Sequence, residues 1–294
     1  MRSPAAALLL ALAVLAGCSN AGDGPAPLPA RATGDPTASP ARYDRYVALG
    51  DSYTAAPLVA PTDTGTICLR SGVNYPALVA EALPGTALTD VSCSGASTAN
   101  VRAAQRGMTG SVPPQLDAVR PRTDLVTIGL GGNDGSLFAT LLGGCTRLAA
   151  DDPAGGPCAA RFAGELEPTL TTIRDRLVGV VDDVRERAPE ARVLLVGYPQ
   201  IVPASGTCPD LPLAAGDYAF ARDVNHRLTE AVRAAAETAD AEYVDVWAAT
   251  EGHDICAAEP WINGRVTSAD RALAYHPLAA EQLAVADLVL EAIR

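Results

Sequence analysis

The chain contains no lysine; its 22 basic residues are all arginine. That absence removes Schiff-base chemistry, a pyridoxal-phosphate site, a phosphate-cradling lysine and a Ser-Lys dyad. Histidine is nearly as scarce, with only His226, His253 and His276. A general base working near neutral pH is most simply drawn from these three. Basic runs are missing and the net charge is −12, which sets nucleic acid aside as a partner. The acidic balance reads as solubility. No CxxC or HExxH spacing occurs, so neither a metal nor a cofactor is expected. Aromatic residues make up 4% of the chain, too few for an evident sugar platform, with Tyr53, Trp247 and Trp261 as the remaining candidates.

What is present begins with an export signal. Arg2 precedes an apolar stretch, Ala5 to Ala16, too short to cross a bilayer, and Gly17-Cys18 closes it. Leu15-Ala16-Gly17-Cys18 resembles a bacterial lipobox, in which Cys18 becomes the lipidated first residue of the mature protein. The expected organisation is a signal over 1–17, a Pro/Ala/Gly-rich tether over 18–42 and one domain over 43–294, held outside the cytoplasm on a membrane or secreted. Setting Cys18 aside from the seven cysteines leaves six: Cys68, Cys93, Cys145, Cys158, Cys208 and Cys256. An even set in an exported chain implies disulfides. The sequential pairing is favoured because each bridge then closes a local loop, worth about 3–4 kcal/mol apiece in the chain-entropy account.

Five short Val/Leu-rich runs read as buried parallel strands: 45–49, 87–92, 124–130, 192–197 and 242–247. Helical patterns lie over 74–83, 114–120, 165–187, 217–238 and 277–292. The alternation implies an α/β domain with a parallel sheet, whose sites gather beyond the carboxyl ends of the strands. Ser52 in Gly50-Asp51-Ser52 stands just past the first strand. Asn133 in Gly131-Gly132-Asn133 stands past the third, and the segment carrying Gly95 follows the second. A serine nucleophile, a histidine base and amide donors for an oxyanion are the parts of an acyl-transfer site. The base is assigned to His276, placed by Pro277 at the start of the last helix. Asn133 has a competing reading as the N-cap of 134–142, and Gly95 one as a plain turn. Leu137, Phe138, Leu141 and Leu142 read as helix burial before they read as an acyl pocket.

With these residues in order, the chain resembles the SGNH (GDSL-type) hydrolase superfamily, in its secreted bacterial esterase and lipase branch. Ser52 in Gly-Asp-Ser-Tyr, Gly95, Asn133 in Gly-Gly-Asn-Asp and His276 carry the likeness, with the segment Gly252-His253-Asp254-Ile255-Cys256 followed by Pro260-Trp261. The resemblance implies a flavodoxin-like three-layer α/β/α sandwich on a central five-stranded parallel sheet, and three sequential disulfides. It implies a serine esterase or lipase with an acyl-enzyme on Ser52 and His276 as base. The oxyanion hole would be Ser52, Gly95 and Asn133. Many members carry Asp three residues before the histidine, where this chain has Leu273. The backbone carbonyl of Leu273, or else Asp270, is therefore the expected orienter of the imidazole. The expected partners are an ester substrate (acyl lipid or small ester) and a membrane reached through Cys18. Nothing sets the oligomeric state, and a monomer is the default. The same residues also suit a carbohydrate deacetylase or an acyltransferase, and a silent lipid- or glycan-binding surface protein stands as the non-enzymatic alternative.

Overall fold

A computed structural model describes residues 42–294; Cys18, the export signal and the tether up to residue 41 lie outside the described residues. The elements run β1 (Arg45–Gly50), α1 (Ser52–Ala55), α2 (Tyr75–Ala82), β2 (Ala87–Asp90), α3 (Ala99–Arg102), β3 (Gln105–Gly107), β4 (Gly110–Val112) and β5 (Leu125–Gly129). They continue with α4 (Cys145–Leu148), α5 (Pro157–Arg187), β6 (Arg192–Val196), α6 (Tyr218–Thr238), β7 (Glu242–Val244), α7 (Val246–Ala249) and α8 (Ala279–Ala292). Short 3₁₀ turns and a π-helical stretch over Ala139–Gly144 fill the connections. β3 and β4 form a small antiparallel hairpin outside the expected set.

The main sheet has the order β2-β1-β5-β6-β7, and all four pairings are parallel. The inner strands β1, β5 and β6 are buried almost throughout because their two faces meet two different layers, whereas the edge strand β2 is half exposed. Val47, Leu49, Val126, Ile128, Val193 and Leu195 pack with Ile173, Leu177, Val180 and Val181 of α5 and with Val224, Leu228 and Val232 of α6. The alternate positions Tyr46, Ala48, Leu125, Leu194 and Val196 pack with Val79 of α2 and with Val285 and Val289 of α8. The result is the three-layer α/β/α sandwich. Strand order reverses between β1 and β5, the switch point at which open α/β sheets place their ligands.

Two expectations need correction. The long helix starts at Pro157 rather than 165 and runs through Pro168. Its start is fixed from a distance: Asp217 Oδ2 and Oδ1 accept the N–H groups of Cys158 and Ala159, each at 2.9 Å. A cap lent by a residue some sixty positions on leaves no local signature. The last helix starts at Ala279, not at Pro277. Pro277 lies instead in an antiparallel bridge with Ile262, and Leu278 is extended at its N-cap with its N–H on Trp261 O at 2.8 Å. The disulfides join Cys68–Cys93, Cys145–Cys158 and Cys208–Cys256.

Candidate active site

The Gly50-Asp51-Ser52 turn is held on both sides. Gly50 gives its N–H to Gln115 Oε1 (2.9 Å) and its carbonyl takes Gln115 Nε2 (2.8 Å), a two-point amide clasp. Glycine is required here, since a Cβ would fall 2.2 Å from Thr54 Oγ1. Asp51 is fully buried and caps α1, its Oδ1 accepting Tyr53 N–H at 2.8 Å. Ser52 is the first residue of that short helix and is buried. Its hydroxyl and its N–H take no hydrogen-bond partner among the described residues.

The turn carrying Gly95 is drawn to this one by Cys93 N–H on Gly50 O (3.0 Å), and the Cys68–Cys93 bridge braces it from the segment ahead of α2. Gly95 has φ +77°, a conformation that favours glycine, and its N–H also has no acceptor among the described residues. Asn133 joins the group through its side chain, Nδ2 donating to Ala96 O at 2.9 Å. It makes no side-chain cap to the following 3₁₀ turn, so the N-cap reading is set aside. One amide N–H is used in orienting the group, and a second stays available. Next to it, buried Asp134 accepts Thr98 N–H (2.9 Å), Thr98 Oγ1 (2.5 Å) and Arg176 (3.0 Å), which locks the 131–135 loop to the segment after Gly95.

His276 approaches from the C-terminal side. Its Nδ1 lies 2.7 Å from the carbonyl of Ala274. A carbonyl can only accept, so Nδ1 carries the proton and Nε2 presents a lone pair. Neither expected orienter touches the ring. Leu273 O takes the His276 main-chain N–H and Asn263 Nδ2, while Asp270 is exposed and bonds Ser268 Oγ. The tight turn with Tyr275 at φ +64° brings the nearer carbonyl under the ring instead. Asn263 holds the loop as a whole, giving Nδ2 to Val266, Ala272 and Leu273 carbonyls and its N–H to His276 O. Desolvation holds the imidazole below its ordinary pKa, with the Ala274 carbonyl pulling the other way. The other histidines lie elsewhere: His226 is exposed on α6 beside Trp247, and His253 stacks on Trp261 at 3.8 Å.

Tyr53 links the two halves. Its hydroxyl donates to Tyr275 O at 2.8 Å and its ring lies 5.6 Å from the His276 ring, while its backbone adjoins Ser52. Tyr53, Phe138 and Tyr198 also pack mutually, with centroids 5.1–5.4 Å apart, so loops after β1, β5 and β6 meet in one aromatic cluster. In a chain with 4% aromatics this concentration marks the site. The amino-acid sequence singles out neither Tyr198 nor, as a separate functional residue, Asp134. The one signal for Tyr198 is its position just past a strand end, in Gly197-Tyr198-Pro199.

The chain matches the GDSL-like Lipase/Acylhydrolase family over residues 48–280. It is 44% identical over 223 residues to Lipase 2 of Streptomyces coelicolor, covering 72% of this chain and 73% of that one. Its fold superposes on a crystal structure of phospholipase A1 from Streptomyces albidoflavus with a TM-score of 0.72 at 31% identity, covering 86% of this chain and all of the other. The extracellular lipase of Streptomyces rimosus gives 0.67 at 30% identity, over 81% of this chain and 94% of that one. With a family match across most of its domain and such coverage of two lipolytic enzymes, the chain belongs to the GDSL-like lipase/acylhydrolase family and is a carboxylic-ester hydrolase.

Proposed function

We propose that Ser52 is the nucleophile and His276 the base of a Ser-His dyad acting on acyl lipid esters. The observation that carries this reading is the Nδ1–Ala274 carbonyl contact, which fixes the tautomer a base requires on a ring packed against the neighbour of Ser52. His276 Nε2 takes the Ser52 proton as Oγ adds to the ester carbonyl. The oxyanion accepts from the N–H groups of Ser52 and Gly95 and from the remaining Asn133 Nδ2–H. Collapse breaks the C–O bond, and the imidazolium protonates the leaving alcohol. The same nitrogen then deprotonates a water that hydrolyses the acyl-enzyme. A carbonyl in place of the usual Asp keeps the orienting role and gives the imidazolium less charge stabilisation. We further propose that 43–294 is the catalytic domain, exported by the segment 1–17 and anchored through lipidated Cys18; three disulfides suit such a destination.

The test is a fluorophosphonate probe with peptide mapping of the adduct. Labelling on Ser52 is expected; an intact, folded protein that stays unlabelled would overturn the reading. A panel of acyl chain lengths beside acetylated sugars then decides between lipid esters and a deacetylase. Asn133→Ala is expected to lower kcat by about 10²–10³, the usual worth of one oxyanion donor, with KM changed far less. Steady-state kinetics on one good substrate checks this, and a loss confined to KM would remove Asn133 from the oxyanion hole.

A further inference from the structure

We propose that the Tyr198 hydroxyl is a positioning residue of this site, tying the oxyanion loop to the nucleophile turn through ionised Asp51; the proposal rests on the Ser52 reading above. Three hydrogen bonds carry it. Tyr53 N–H donates to Asp51 Oδ1 at 2.8 Å, Tyr198 O–H donates to Asp51 Oδ2 at 2.6 Å, and Gly132 N–H donates to Tyr198 Oη at 2.8 Å. One carboxylate thus sets the start of α1, where the Ser52 N–H sits. Through the phenol it also sets the Gly131–Gly132 peptide, one peptide ahead of the Gly132–Asn133 link. Two of the three proposed oxyanion donors, Ser52 N–H and Asn133 Nδ2, are therefore referred to a single buried group. The phenol cannot drift, because its ring stands edge-on to Phe138 (89°) and to Tyr53 (74°) and is buried.

The full set of bonds forms in one protonation state, with Asp51 ionised. A phenol has a single proton, and the Gly132 N–H already occupies one of its lone pairs, so the proton goes to Asp51. Were Asp51 protonated on Oδ2, its O–H would face the Tyr198 O–H; on Oδ1 it would face the Tyr53 N–H. Either way a buried donor loses its acceptor. The ionisable groups facing Asp51 are Tyr53, Tyr198 and Asp134, the last offset by Arg176, with Tyr75 and Glu281 behind Tyr53 and no cation in direct contact among the described residues. Burial pushes Asp51 up to about 7, against the lowering bonds from Tyr198 and Tyr53. The strut therefore completes itself as pH rises through that value, above the range in which His276 loses its proton.

The experiment uses Tyr198→Phe, which keeps the ring and deletes only the hydroxyl. Rates are normalised to active sites titrated by fluorophosphonate. The expected result is a kcat lower by about 10- to 100-fold with KM nearly unchanged, and an equal loss of affinity for a trifluoromethyl ketone, whose adduct carries the oxyanion. In the wild type the acid limb of kcat/KM should centre at about 7 and, in Tyr198→Phe, fall back to the imidazole range. A kcat within about twofold of wild type, or a kcat loss without a matching loss of ketone affinity, would overturn the proposal. So would a wild-type limb centred below about 6, a full unit under the expected value and a result available even if the variant does not fold. If the wild type forms no Ser52 adduct, the Ser52 reading fails and this proposal with it. An adduct together with a fully active Tyr198→Phe defeats this proposal alone.

Discussion

Ser52→Ala is expected to lower kcat by about 10⁴ to 10⁶, His276→Ala by a comparable factor, and the double variant no further than the worse single one. The three numbers belong together because a nucleophile and its base act as one unit. Once either is gone, the other has nothing to activate or to be activated by. KM should move little, since neither group is asked to bind the ground state. The fold gives these variants a fair trial. The Ser52 hydroxyl has no partner among the described residues, so its removal orphans no buried group. Losing the His276 ring frees only the partly exposed Ala274 carbonyl, while Asn263 still clasps the loop backbone. Thermal unfolding of each variant within a few degrees of wild type, beside a lost rate, is the expected pair of measurements. Ser52→Ala retaining more than about one per cent of wild-type kcat would show that another residue performs the attack.

Much of this site is legible in the amino-acid sequence, for a physical reason. Strands in a parallel sheet are buried on both faces and so stand out as short apolar runs, and loops at their carboxyl ends converge whatever their sequence. That logic locates Ser52, Gly95 and Asn133. It fails wherever a partner comes from far along the chain. The start of α5 depends on Asp217, and the clasp on Gly50 depends on Gln115, 65 positions away. The His276 loop illustrates a second limit. A carbonyl is expected beneath the imidazole, but which carbonyl depends on the positive φ of Tyr275, a backbone state that a tyrosine does not announce. Tyr198 is invisible for the opposite reason: a tyrosine after a strand looks like core until the two ends of its hydroxyl bond are known.

Glu281→Gln is expected to stabilise the protein at alkaline pH and to leave it nearly unchanged in acid. Glu281 stands in the first turn of α8, where a glutamate ordinarily faces water and the helix dipole. In the structure it is 2% exposed, lines a small cavity with Tyr53, Thr54, Tyr75 and Val285, and has Gln282 Nε2 at 2.7 Å as its hydrogen-bond donor. Burial pushes its pKa up to about 8, with the Gln282 bond only partly opposing it. The folded state therefore holds a proton that the unfolded chain releases. Stability from this group is complete below the ordinary carboxylate pKa and is lost as pH rises from there toward 8. Asp51 acts with the same sign up to about 7. At about 1.4 kcal/mol per unit, Glu281 alone is worth several kcal/mol across that window, enough to dominate the alkaline limb of stability. Glutamine keeps the acceptor for Gln282 and abolishes the titration. Denaturant melts from pH 5 to 9 should show a falling curve for wild type and a flatter one for the variant, separating by roughly 3 kcal/mol at the alkaline end. Parallel curves would mean that the carboxyl finds its charge solvated. The consequence reaches the site, because Gln282, the one donor to that carboxyl among the described residues, also holds Tyr53 O and accepts Tyr75 N–H. Ionising Glu281 loads charge behind the tyrosine against which His276 packs, so alkaline loosening should begin at the catalytic wall and not at the sheet edges.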